Sequence, residues 1–184
     1  MLSKIKVDDY SPHSNDILLL DTNILITLFY PIMTKSAMIP YQNLYARALK
    51  NNVTFILPSI QVSEFINKCI RFSYDLYRGN VSTQEFEFKR DYRNTDDYRE
   101  SMQTILDIIQ NDILPIFSVV DDHFSEVPQD KIYLYGFSYD FNDALLIQIA
   151  ERQNASIVTH DSDFANYQTK VNLISSNSKL LMFR

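Results

Sequence analysis

Short apolar runs alternate along the chain with segments in which apolar residues recur every three or four positions. The runs at 16–21, 53–57, 113–120, 155–161 and 170–175 predict five strands, because they are short, continuous and rich in Leu, Ile, Val and Phe. Strands without regular polar alternation are typical of a parallel sheet that is covered on both faces.

The segments between these runs predict helices. Apolar residues at helical spacing occur at 23–30, 41–51, 58–77, 98–109 and 139–154. Strands that alternate with helices predict a layered α/β fold with a central, mostly parallel sheet of four to five strands. The 184 residues suit a single domain, 1–184, in which 1–15 form a polar lead-in.

Composition narrows the class of protein further. A hydrophobic content of 46% and a net charge of −6 indicate a globular chain that does not coat nucleic acid over its whole surface. Two glycines in all exclude a Gly-rich phosphate loop, and the single Cys69 excludes a disulfide framework and predicts a buried thiol. The lead-in lacks the apolar core of a signal peptide, and no apolar run is long enough for a membrane span. These features predict a cytoplasmic protein.

Acidic residues stand at the ends of the predicted strands. Asp21 closes the first strand, and Asp161 closes the fourth and is followed by Asp163. Glu64 lies early in the helix after the second strand, and Asp143 lies early in the helix that leads into the fourth. Because the carboxyl ends of parallel strands line one crevice, we expect these side chains to converge.

Carboxylates that converge in this way repel one another and raise each other's pKa. The sequence shows no Lys or Arg in an equivalent position to neutralise them. Mg²⁺ or Mn²⁺, which prefer oxygen ligands, would relieve the repulsion and would activate water for phosphodiester hydrolysis. Taken singly, each Asp could instead be a helix cap or turn residue, Asp140 included, and Glu64 could face a helix dipole. Only the occurrence of all these acidic residues at the same edge of the predicted sheet favours a metal site.

Four segments, in order, resemble the motifs of PIN domains. They are LLLDTNILI, LPSIQVSEFI, NDALLIQIA and IVTHDSDF, and the resemblance covers the chain from about residue 16 to 175. It implies a three-layer PIN-like fold and a metal-dependent ribonuclease that binds Mg²⁺ or Mn²⁺. The implied catalytic and metal-binding residues are Asp21, Glu64, Asp143 and Asp161, with Asp163 as a further metal ligand.

The same resemblance implies residues that orient the carboxylates. Thr22 or Asn23 would orient the first carboxylate, and Thr159 would do so from the end of the fourth strand. For Asn23, helix capping is an equally good interpretation.

Small PIN domains that stand alone resemble the VapC-type toxins of bacterial toxin–antitoxin pairs. Such toxins cut RNA, are held inactive by an antitoxin protein and usually form homodimers. This chain is longer than is common among them, and the extra residues, about 71–112, predict a helical extension. A housekeeping RNA-processing nuclease and a catalytically silent PIN-like binding module stay open as alternatives. A haloacid-dehalogenase-like phosphatase is disfavoured, because Asn23 stands where that chemistry needs a second Asp.

The segment 71–94 mixes Arg and Lys with Tyr and Phe, a composition that can stack bases and contact phosphates. Asp and Glu nearly balance its charge, however, so a solvated helical arm or a protein-contact surface is the favoured interpretation. His13, His123 and His160 show no ligand spacing, and the sequence assigns them no role.

Overall fold

Parallel strands in a single sheet form the centre of the protein. The computed structural model describes residues 3–30, 36–81, 85–134, 136 and 139–182. Within these residues the sheet has six strands: β1 (Lys4–Lys6), β2 (Ile17–Leu20), β3 (Thr54–Pro58), β4 (Phe117–Val120), β5 (Ser156–Val158) and β6 (Leu173–Ser175). Their order is β1-β6-β5-β2-β3-β4, and each neighbouring pair is parallel. The predicted α/β class with a parallel sheet is confirmed.

Helices cover both faces of this sheet. Those in the described residues are α1 (Thr22–Phe29), α2 (Ile39–Lys50), α3 (Ser59–Asn80), α4 (Asp96–Ile108), α5 (Gln129–Ile132), α6 (Phe141–Gln153) and α7 (Ser178–Met182). Helices α1 to α4 contribute to the apolar core on one face, and α5 to α7 contribute to the core on the other. The fold therefore has three layers.

Strand β2 is buried on both faces, which explains its continuous apolar sequence. Leu18 and Leu20 pack in the core with α1 to α4, whereas Leu19 packs in the core on the opposite face. This alternation follows from the two-residue period of a strand. None of the three is more than 2% exposed. The residue that follows, Asp21, is therefore held by a strand that is fixed on both sides.

The sheet has one strand more than the sequence predicts, and that strand lies in the stretch interpreted as a polar lead-in. Strand β1 pairs with β6 in the register Lys4 to Leu173, and the Leu173 N–H also donates to the Ser3 carbonyl at 2.8 Å. The pattern of apolar runs does not predict this strand, because two of its three residues are lysines. A strand at the edge of a sheet is held by backbone hydrogen bonds and needs few apolar side chains. Residues 1 and 2 of the lead-in lie outside the described residues.

The third predicted strand, 113–120, is half as long as expected. Residues Ile109–Ile113 form a π-helical turn that continues α4, and β4 begins only at Phe117. Ile113 is 2% exposed in the helical core, so its apolar character comes from helix packing rather than from a strand.

Two helices, α3 and α4, occupy most of the predicted extension at 71–112, of which residues 82–84 lie outside the described part. Aromatic rings of this stretch pack on one another, with centroids 5.4 Å apart for both Tyr74–Phe88 and Tyr74–Tyr92. None of these three side chains is more than 8% exposed. Buried rings cannot stack on bases, so they serve the packing of the extension. That the whole chain forms one domain stays a prediction.

A membrane span needs a long apolar helix. In the part of the chain that the structure describes, no helix is both long enough and apolar enough to cross a bilayer.

Candidate active site

Asp21 lies between β2 and α1, at the carboxyl edge of the sheet. Its backbone N–H donates to the Val158 carbonyl of β5 at 2.9 Å, and its carbonyl accepts from the Ile24 N–H at 2.8 Å. In the described structure its side chain makes no capping hydrogen bond to α1. Capping therefore does not explain why an aspartate that is only 3% exposed stands here.

Thr159 contacts Asp21 as its predicted orienting role requires. The Thr159 hydroxyl donates to Oδ2 of Asp21 at 2.9 Å, and its oxygen accepts the backbone N–H of Asp161 at 2.9 Å. One buried hydroxyl thus fixes the first carboxylate and also the start of the segment that carries the fourth.

Glu64 projects from the second turn of α3 and is held at both of its oxygens. The Thr22 hydroxyl donates to Oε2 at 2.8 Å, and Nζ of Lys68 lies 2.7 Å from Oε1. Thr22 therefore orients Glu64, and the expectation that it orients the first carboxylate is wrong. Oδ1 of Asn23 accepts from Lys68 Nζ at 3.2 Å, so this side chain contacts the cation.

Lys68 is the residue that sequence analysis missed. The expectation that no Lys or Arg is placed to neutralise the acids is wrong, because Lys68 lies among them and pairs with Glu64. The detectable signal was its position four residues after Glu64 on one helix, a spacing that brings two side chains onto the same face.

Asp140 and Asp143 enter the site from the start of α6. Oδ1 of Asp140 accepts the Asn142 N–H at 2.8 Å, so Asp140 caps the helix and its backbone is in turn held by the Tyr167 hydroxyl. Asp143 follows in the first turn and is half-buried.

Asp161 and Asp163 come after β5. Oδ1 of Asp161 accepts the backbone N–H of Asp163 at 2.9 Å and so caps the short helical turn Ser162–Asn166. Asp140 and Asp161 therefore each cap a helical turn and also line the acidic site. From the sequence, these two roles were alternatives.

All the acids proposed from sequence line one pocket of about 350 Å³. We call it the acidic pocket, and its lining residues are Asp21, Asn23, Glu64, Lys68, Tyr139, Asp140, Asn142, Asp143, Asp161 and Asp163. Thr22 and Thr159 support it from behind through their hydrogen bonds to Glu64 and Asp21.

The electrostatics of the acidic pocket favour protonation of two of its carboxyls. Burial, with the charges of Asp21, Asp140, Asp161 and Glu64 added, raises the pKa of Asp143 from 3.8 to about 8. Burial also raises the pKa of Asp21 to about 6, although the hydrogen bond from Thr159 and the charge of Lys68 oppose the rise. Burial alone would lower the pKa of Lys68, but the hydrogen bond and charge of Glu64 raise it. The pocket carries more negative charge than one ammonium group neutralises.

The chemistry of this pocket suits a hard divalent cation, but its side chains do not form a coordination shell as they stand. Within the described residues, no group of three or more His, Cys, Asp or Glu side chains is placed so that it could hold a metal ion. Glu64 instead contacts Thr22 through one oxygen and Lys68 through the other. The donor set, which consists of carboxylate oxygens under mutual repulsion, nevertheless fits Mg²⁺ or Mn²⁺.

Tyr41 of α2 fixes the loop behind the acidic pocket. Its hydroxyl donates to the Thr159 carbonyl at 3.0 Å, accepts the Ser176 N–H at 2.9 Å and lies 2.8 Å from Nδ1 of His160. All of these bonds depend on one buried oxygen.

A Tyr41→Phe variant should lose about 2 kcal/mol in the free energy of unfolding, because buried polar groups are left without a partner. Urea denaturation monitored by circular dichroism measures this loss. Tyr45→Phe is the matched control, since the Tyr45 hydroxyl is buried and has no hydrogen-bond partner in the described structure. Its removal should be neutral or stabilising, and an equal loss in both variants would contradict the role given to Tyr41.

The fold and site define a class of protein. Residues 18–170 match the family model of the PIN domain, and the chain belongs to the PIN-domain family. PIN domains are generally nucleases that use divalent metals.

Among solved structures, the chain is similar to one chain in the crystal structure of VapBC2 from Rickettsia felis bound to a DNA fragment from their promoter. The identity is 21%, the match covers 86% of this chain and 98% of that chain, and the TM-score is 0.45. A comparison with curated proteins gave no significant match.

Proposed function

We propose that the protein is an endoribonuclease that depends on Mg²⁺ or Mn²⁺ and hydrolyses RNA phosphodiester bonds in the acidic pocket. The observation that carries this proposal is the convergence of Asp21, Glu64, Asp143 and Asp161 on one pocket from four separate parts of the chain. A cluster of like charges that is withdrawn in part from solvent is costly to fold, so its presence is best explained by a cation that it binds.

The residues of the pocket have distinct roles in this proposal. Asp21, Asp143 and Asp161 hold the cation with Asp163 beside them, and Thr159 keeps the carboxylate of Asp21 in place. When bound, a divalent cation supplies a Lewis acid that activates water and neutralises charge on the phosphate.

Glu64 has a conditional role. It shares its carboxylate between Thr22 and Lys68, so it joins the ligands only when Lys68 releases it. The ammonium of Lys68 offsets part of the negative charge of the pocket before the cation binds, and it is then available to the substrate phosphate.

The cellular role we propose is that of a toxin in a toxin–antitoxin pair. The support is the resemblance of the motif series to VapC-type toxins, which also suggests a homodimer held inactive by an antitoxin protein in the cytoplasm. Induced expression in bacteria that lack a partner should therefore arrest growth. Growth without any arrest would favour a housekeeping RNA-processing nuclease, provided that the purified protein still cuts RNA.

Removal of the metal is the direct test of the biochemical proposal. Cleavage of single-stranded RNA should be lost in EDTA and return when excess MnCl₂ or MgCl₂ is added. An Asp130→Asn variant is the control, since Asp130 is exposed on α5 and outside the acidic pocket, and it should cleave at the wild-type rate. Cleavage that persists undiminished in EDTA would exclude a metal-dependent reaction.

A further inference from the structure

A second and larger cavity, of about 700 Å³, opens directly beside the acidic pocket. It lies between α1, α3 and the segment after β5, and we call it the side groove. Asn23, Lys68 and Asp161 line both cavities, so the side groove continues the acidic pocket. The proposed reaction uses only the acidic pocket and leaves this space without a role.

The inner wall of the side groove is apolar and partly aromatic. The half-buried side chains of Ile26, Met38 and Phe72 line it, and the buried Tyr30 ring meets Phe72 edge to face with centroids 6.5 Å apart and supports it. An apolar wall with aromatic rings is the surface on which an unstacked base of single-stranded RNA packs. The volume lies within the range of pockets that bind small organic ligands.

The polar rim of the side groove includes His160, whose ring is held in one orientation. The Tyr41 hydroxyl lies 2.8 Å from His160 Nδ1, and the Tyr41 and His160 rings meet edge to face with centroids 5.6 Å apart. Asn177 Nδ2 donates to the His160 carbonyl at 2.7 Å and fixes the same rim. A base edge requires donors and acceptors that are fixed in this way.

Two cationic side chains, Lys68 and Arg71, line the side groove. Lys68 stands at the junction of the two cavities, and the Arg71 guanidinium lies over the Phe88 ring, 3.9 Å from its centroid. Stacking on the Phe88 ring restricts the Arg71 side chain to few conformations. Less conformational entropy is therefore lost when its guanidinium binds an anion. Asp75 and Asp161 also line the side groove and balance the charges of Lys68 and Arg71. The positions of these two cations, and not a net positive charge, therefore determine where phosphates bind.

We infer that the side groove binds one nucleoside of a single-stranded RNA next to the phosphate that is cut. The base packs on the wall formed by the half-buried side chains of Ile26, Met38 and Phe72, and its phosphates contact Lys68 and Arg71. This inference rests on the proposed function for the identity of the substrate, and it extends that function by stating where the RNA lies.

The test is RNA binding measured separately from RNA cleavage. Fluorescence anisotropy of a labelled single-stranded RNA of about ten nucleotides, recorded in EDTA, reports binding alone. An Asn67→Trp variant places an indole in the side groove from an exposed position on α3 and should raise the Kd about tenfold. Gln103→Trp makes the matched amide-to-indole change at an exposed position on α4, outside the groove, and should leave the Kd unchanged.

Two further measurements keep the inference falsifiable if the indole disturbs the helix. Arg71→Gln should also raise the Kd several-fold, because it removes a phosphate contact. An RNA with one abasic ribose at the groove position should bind the wild type about tenfold more weakly. The same RNA should show no further loss with Asn67→Trp, since both changes remove one interaction.

The outcomes separate this inference from the proposed function. RNA that binds and responds to Asn67→Trp but is not cut with MnCl₂ would support the side groove and refute the nuclease. RNA that is cut, with a Kd that Asn67→Trp leaves unchanged, would overturn the side groove alone. Loss of self-association in Asn67→Trp with unchanged RNA binding would show that the groove is a contact between copies, which also overturns the inference. A wild type that neither binds nor cuts RNA would overturn both proposals.

Discussion

An Asp143→Asn variant is expected to cleave RNA roughly a thousandfold more slowly than the wild type, and yet to unfold at a higher temperature in metal-free buffer at pH 8. The loss of activity follows from the removal of a carboxylate that is central to the acidic pocket. The gain in stability follows from the cost of holding that carboxylate there without a cation. A residue that serves only the fold would lower both quantities.

The direction of the stability change follows from the pKa of Asp143. Burial and the neighbouring charges of Asp21 and Asp140 raise this pKa from 3.8 to about 8 in the folded protein. Between these two values the folded state keeps a proton that the unfolded chain releases, so the free energy of unfolding falls as the pH rises. The penalty is complete above pH 8. Asparagine carries no charge, and the variant should therefore unfold about 5 °C higher at pH 8 and show little gain at pH 4.

Differential scanning calorimetry at these two pH values and a single-turnover cleavage assay measure the two effects. Asp130→Asn is the control for both, because Asp130 is exposed and lies outside the acidic pocket. An Asp143→Asn variant that cuts RNA at the wild-type rate would refute the site. A variant that is inactive and also less stable at pH 8 would show that Asp143 supports the fold instead of carrying out the reaction.

The convergence of the acids could be predicted from the sequence because it depends on two simple regularities. Apolar runs such as 16–21 mark buried parallel strands, and the carboxyl ends of parallel strands meet at one edge. The sequence places Asp21 and Asp161 at strand ends, and the fold makes those strands, β2 and β5, neighbours in the sheet. The helix starts after β3 and before β5 bring Glu64 and Asp143 to the same edge.

The contacts that tune the pocket could not be predicted in the same way. The bonds from Thr22 to Glu64 and from Tyr41 to the Thr159 carbonyl join residues 42 and 118 positions apart. Such pairs depend on side-chain rotamers and on the packing of α2 and α3, which leave no local pattern in the sequence. Lys68 is different, since its helical spacing from Glu64 was visible, but a surface ion pair has the same spacing. Only the fold shows that Lys68 lies inside the acidic pocket.

Composition does not reveal structure that depends on backbone pairing or on the packing of rings. Strand β1 has two lysines in three residues, yet it joins the sheet because its backbone pairs with β6. For the aromatic residues of 71–94 base stacking was the less favoured interpretation, and Tyr74, Phe88 and Tyr92 indeed pack on one another inside the extension. The ring that we propose for base stacking is instead the half-buried Phe72, in the wall of the side groove between α1 and α3.

The affinity of the acidic pocket for Mn²⁺ is expected to rise about fiftyfold between pH 6 and pH 8. A metal ligand must lose its proton, and the carboxyl of Asp143, with a pKa of about 8, is mostly protonated below that pH. Each pH unit below that value therefore costs about a factor of ten in apparent affinity. Asp21, with a pKa of about 6, adds a second proton below pH 6, so the dependence should become steeper there.

Isothermal titration of the metal-free protein with MnCl₂ in two buffers of different ionisation enthalpy measures both the affinity and the proton released. Asp143→Asn is the informative comparison, since it should bind Mn²⁺ more weakly at pH 8 and show an affinity that is nearly constant from pH 6 to 8.

Lys68→Met separates the two sources of positive charge in the pocket, the ammonium group and the metal ion. The variant lacks the ammonium group that pairs with Glu64. It should bind Mn²⁺ more tightly than the wild type at each pH, because Mn²⁺ no longer competes with Lys68 for this carboxylate. A wild-type affinity that does not change with pH would mean that Mn²⁺ binds without displacing the proton of Asp143, and the assignment of Asp143 as a ligand would then be wrong.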